Sequence, residues 1–139
     1  MKGLFFIACS LLCLASTAQE SQSPLFDRSC TQQADATAQR ECSDALLLEF
    51  INHNILFPEA AKAQGIEGTV VVQFTVSAEG KTTQVKLLRD IGGDCGKEVL
   101  RVVSLFPDWA PAMAYDEPVE QTLTLPVSFN LKSFEDRFG

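Results

Sequence analysis

Histidine, tryptophan and tyrosine each occur once in the 139 residues, and 11 basic side chains face 18 acidic ones, a formal charge of −7. Each scarcity excludes a class of function. The basic residues form no cluster that could neutralise a run of phosphates, which argues against nucleic acid as a partner. One histidine, His53, and no close cysteine pair beyond a bridged one leave too few donors for a structural zinc site. Gly92-Gly93 is followed by a helical pattern without the lysine and hydroxyl spacing of a phosphate-binding loop, so no nucleotide or other cofactor is expected. The apolar run from Leu4 to Ala15 falls short of the roughly 20 residues that cross a bilayer.

What is present at the start reads as a leader. Lys2 supplies a positive charge, the apolar run follows, and Ser16-Thr17-Ala18 offers small residues for cleavage before Gln19. Residues 1–18 are therefore expected to direct export and be removed, leaving no stable membrane anchor. Leu12 argues against lipidation of Cys13, because a small residue normally precedes a lipidated cysteine. Of the five cysteines, Cys30, Cys42 and Cys95 remain. An oxidising compartment favours a Cys30–Cys42 disulfide within a polar lead-in, residues 19–42; three free thiols are the alternative.

The remaining pattern describes one domain, residues 43–131, and a polar tail, residues 132–139. Ser43 and Asp44 suit the start of a helix whose apolar face includes Leu47, Phe50 and Ile51. Pro58 and Gly65 bracket a short helix, Glu59 to Gln64. Thr69 to Ser77 alternates as a strand, Gly80 closes a turn, and Thr82 to Arg89 returns. Asp94 is the expected cap of a helix beginning at Cys95 and carrying Val99, Val102, Val103 and Phe106 on its core face. Asp116-Glu117-Pro118 turns the chain into a last strand, Thr122 to Leu131. Pro126 within that strand has no N–H to donate, which places the strand at a sheet edge. The expected fold is α+β: a three-stranded antiparallel sheet, order 2-1-3, with helices packed on one face.

Read together, several segments resemble the C-terminal domain of TonB. They include Phe57-Pro58-Glu59-Ala60-Ala61, Gly65 to Val76, Val85-Lys86-Leu87-Leu88-Arg89, Pro107-Asp108-Trp109-Ala110-Pro111-Ala112 and Leu125-Pro126-Val127-Ser128-Phe129. The stretch Ile91 to Gly96 and the upstream cysteine pair are similar to the Bacteroidetes-type form of that family. The resemblance implies a periplasmic domain of an energy transducer whose last strand pairs with a short peptide, the TonB box, of outer-membrane receptors. Carried onto this chain, the docking residues are Thr122, Leu123, Thr124, Leu125, Val127, Ser128 and Phe129.

Other readings compete. The edge strand could instead be blunted by Pro126 or buried in a homodimer. An enzyme would need Cys95 activated near a helix N-terminus with His53 as its base. No catalytic spacing supports that pair, and an enzyme is not expected. Trp109 either lines a peptide groove with Tyr115 or plugs the end of the core between its prolines; the plug is the favoured reading.

Overall fold

The computed structural model describes residues 21–138. The leader and its cleavage site lie outside them. The elements run α1 (Ala36–Asn54), α2 (Glu59–Gln64), β1 (Gly68–Val76), β2 (Thr82–Arg89), α3 (Cys95–Ser104), β3 (Ala112–Ala114), β4 (Glu117–Val119), β5 (Gln121–Phe129) and α4 (Leu131–Phe138). Three strands form an antiparallel sheet of order β2-β1-β5, the order expected, and β3 and β4 make a separate hairpin.

The alternation of β1 decides which face is covered. Val70, Val72, Phe74 and Val76 are buried in the core that also holds Ile51 of α1 and Val99, Val102 and Val103 of α3. The opposite face carries Thr69, Val71, Gln73 and Thr75, and the Thr75 hydroxyl lies 3.0 Å from that of Thr122 on β5. Trp109 is the plug: it is buried among the rings of Phe26, Phe74 and Phe106. The Trp109 backbone N–H donates to the Gly80 carbonyl at 2.8 Å. Gly80, at φ 85°, sits so close that a Cβ there would lie 2.1 Å from the Trp109 carbonyl oxygen, so only glycine closes this hairpin. Tyr115 is far more exposed, at the tip of the β3–β4 hairpin.

Four local expectations are corrected. Helix α1 starts at Ala36, not at Ser43, because the Asp35 carboxylate accepts from the Ala38 N–H at 2.8 Å and caps it eight residues before Ser43. Ser43 is instead buried within the helix, where its hydroxyl accepts from the Phe26 N–H at 2.8 Å. The described part of the lead-in is built into the fold: Gln22 and Leu25 bridge to Met113 and Ala110, and Phe26 is in the core. A 3-10 turn at Arg28–Gln32 is tied to α1 by a Cys30–Cys42 disulfide, Cα–Cα 5.6 Å.

The other three corrections follow from caps, turns and burial. Asp94 stands at the N-cap position of α3, as expected, but its side chain makes no capping hydrogen bond. Gly92, Gly93 and Asp94 all take positive φ, and this curl brings Asp90 to the helix start, where its carboxylate accepts from the Gly92 and Gly96 N–H groups at 3.1 Å each. Tyr115 and Asp116, both at positive φ, form the two central residues of a hairpin where a simple turn into the last strand was expected. Residues expected as a polar tail form α4, since Phe134 has a large ring to bury and packs it against Phe57 and Phe129.

Candidate docking edge

Strand β5 pairs with β1 through nine consecutive residue pairs without a shift, from Gly68↔Phe129 to Val76↔Gln121. Backbone direction can be followed from the hairpin. The Ser77 N–H donates to Lys81 O, toward β2, so odd-numbered residues of regular β1 address β2 and even-numbered ones address β5. The register then makes Leu123, Leu125, Val127 and Phe129 the residues of β5 that bond inward. Thr122, Thr124, Pro126 and Ser128 present their backbone groups outward, away from β1. Pro126 therefore costs the ladder nothing, because the donor it lacks belongs on the open side.

The same parity sorts the side chains. Val127 and Phe129 are buried and Leu123 and Leu125 half-buried on the helix side, while Thr122, Thr124, Pro126 and Ser128 are exposed on the other. The residues expected to dock thus come together along one edge in two roles. Thr122, Thr124 and Ser128 offer free N–H donors, and the four leucine, valine and phenylalanine side chains anchor the strand. Pro126 still supplies an outward carbonyl.

Two clefts run along this edge. One, of about 590 Å³, lies between Leu123-Thr124-Leu125, the first half of α1 and residues 21–25. The other, of about 530 Å³, lies between Leu125-Pro126-Val127-Ser128, the second half of α1 and α4. Consecutive strand residues, with side chains on both sheet faces, line each cleft. That happens only where the strand is approached from its edge. Asp44, Leu47 and Leu125 belong to both clefts, so they form one groove. The α1 wall escaped the sequence reading, although the spacing of Arg40, Asp44, Leu48 and Asn52 was visible there.

A further hollow of about 850 Å³ lies between α2, α3 and α4. Much of its charge is already engaged: Lys62 is 3.6 Å from Glu59, and Arg101 binds Glu98 and the Asn54 carbonyl at 2.6 Å. Glu98 also accepts from the Leu56 N–H at 2.9 Å. Burial opposes its ionisation, but the hydrogen bonds from Arg101 and Leu56 and the charge of Arg101 outweigh it and lower its pKa. Cys95 is fully buried, and burial, with Asp90 and Asp94 nearby, raises its thiol pKa. His53 is exposed near the end of α1. This geometry opposes the thiolate that a Cys–His pair would require.

The family described as Gram-negative bacterial TonB protein C-terminal matches residues 53–131. Two proteins called Protein TonB, from Helicobacter pylori strains ATCC 700392 / 26695 and J99 / ATCC 700824, are each 31% identical over 77 residues, covering 55% of this chain and 26% of theirs. The chain spans about a quarter of the length of those relatives. A solution structure of Helicobacter pylori TonB-CTD (residues 194-285) is 26% identical, over 63% of this chain and 92% of that one, with a TM-score of 0.46.

Proposed function

The chain belongs to the family of Gram-negative bacterial TonB C-terminal domains, and from that premise we propose that it binds extended peptide segments of outer-membrane transporters by strand addition to β5. Its setting is the periplasm and its process TonB-dependent transport. The observation that carries the reading is the row of outward backbone groups at Thr122, Thr124, Pro126 and Ser128, opening into a groove rather than onto a flat surface. Main-chain hydrogen bonds along such an edge give affinity with modest side-chain selectivity, as a shared transducer needs. The leader pattern and the Cys30–Cys42 bridge both favour an exported, oxidised protein.

The test is a titration of the disulfide-bonded protein with a synthetic receptor TonB-box peptide, followed by backbone amide resonances. Shifts centred on Leu123 to Phe129 are expected. Shifts confined to β2 or to the hollow between α2, α3 and α4 would refute the mode. If instead the β5 resonances move with protein concentration and no peptide, the edge serves a homodimer.

A further inference from the structure

Resting on that docking reading, we propose that α1 is a ruler that selects the side chains of the incoming strand: a carboxylate opposite Leu123, a basic group opposite Leu125 and an aliphatic group opposite Val127. Most of α1 precedes the residues that match the family. The argument begins with pitch. Four residues of helix advance about 6 Å, and two residues of strand advance about 6.6–6.8 Å. Residues four apart on α1 therefore keep step with alternate residues of a strand running beside it.

Arg40, Asp44, Leu48 and Asn52 are four apart and line the groove in that order as β5 passes from Leu123 to Ser128. An added strand would have its outward-paired residues beside Thr122, Thr124, Pro126 and Ser128, with side chains on the open, hydroxyl-rich face. Its intervening residues, opposite Leu123, Leu125 and Val127, would point toward the helix layer. There they meet Arg40, Asp44 and Leu48 in turn. Arg40 and Asp44 are both exposed, and neither makes a hydrogen bond or ion pair with another described side chain. They do not satisfy each other, and arginine preceding the acid is the weaker order for such a pair on a helix. Leu48 is 59% exposed, a large apolar side chain at the groove rim. The occupant is thus an extended segment with alternate acidic, basic and aliphatic residues on one side and polar residues on the other.

The experiment uses the disulfide-bonded protein, two pairs of synthetic peptides and, for the Leu48 arm, a further peptide. Thr-Val-Thr-Lys-Thr-Glu-Thr fits an antiparallel strand, and the reversed sequence, Thr-Glu-Thr-Lys-Thr-Val-Thr, a parallel one. Each has a partner with Lys and Glu exchanged. One of the first two should bind about fivefold more tightly than its exchanged partner at low salt, as two exposed ion pairs allow. In the double variant Arg40→Glu, Asp44→Lys the preference should invert. Both positions are exposed, so folding is checked by circular dichroism, and Leu48→Glu with the peptide valine changed to lysine gives an independent arm. If all peptides shift the Thr124 and Ser128 amides equally, in both proteins, the ruler is wrong and docking stands. No shift at those amides with any peptide overturns both.

Discussion

The sheet has two edges, β5 and β2, and only β5 keeps an unbroken register with β1. Along β5 the register with β1 never slips, so its outward groups lie at even intervals. Along β2 the register shifts twice, between Val71/Val72 and between Gln73/Thr75, and Gln84 is forced to φ 50°. Bulges of this kind twist an edge and break its row of donors and acceptors. Lys86 and Arg89 are exposed on β2 as well, and charges on an edge discourage pairing. The exposed Val85 and Leu88 do not make β2 a docking strand, since strand addition depends on backbone regularity more than on apolar side chains. β5 has a helix wall beside it to define a groove; β2 lacks one among the clefts described.

The largest effect should come from loosening that wall. Replacing Cys30 and Cys42 with serine removes a bridge of sequence separation 12 and should lower stability by about 3 kcal/mol, read by urea denaturation. Peptide affinity at β5 should fall with it if α1 belongs to the site, and stay level if it does not. Next come two prolines on the same strand. Val127→Pro removes an inward donor and should destabilise the fold by about 2–3 kcal/mol. Thr124→Pro removes an outward one, so it should cost less than about 1 kcal/mol yet weaken peptide binding about tenfold or more, measured by calorimetry. Equal destabilisation by the two would break the parity on which the distinction between inward and outward residues rests.

A smaller effect concerns pH. Glu98 has its pKa lowered in the folded state from an ordinary 4.5, so its contribution is full above that value and is lost as pH falls through the folded pKa. Denaturation midpoints of the native protein should drop below pH 4.5, and Glu98→Gln should flatten that drop. Both edges should be affected alike, because Glu98 ties α3 to the end of α1 rather than to either strand. The smallest is chemical: buried Cys95 should resist alkylation near neutral pH in the folded protein and react after denaturation, by intact mass.

The last strand and its place at the sheet edge were legible in the sequence because their signals are local. Alternation from Leu123 to Phe129 marks a strand, and Pro126 marks an edge. The antiparallel directions of three strands then fix the order β2-β1-β5. The groove was not legible, because its second wall hides among polar residues. Thr37, Gln39 and Arg40 give α1 little apolar stripe in its first turns, so helix start signals pointed to Ser43 rather than Asp35. Ser43 looks like a cap in sequence and is used by Phe26, a partner 17 residues away. Asp94 looks like the capping side chain in sequence, and Asp90 takes that role because three successive left-handed residues curl the chain back to the helix start. Phe134 sits in a segment otherwise so polar that its burial depends on Phe129, at the end of β5, and on Phe57, distant in sequence.

Amide hydrogen exchange with and without a bound receptor peptide tests the central claim most directly. Thr122, Thr124 and Ser128, whose N–H groups point outward from β5, should exchange fast in the free protein and become protected when peptide is bound, while β2 amides stay unchanged. Protection on β2, or bound peptide with these three amides still fast, would contradict the account.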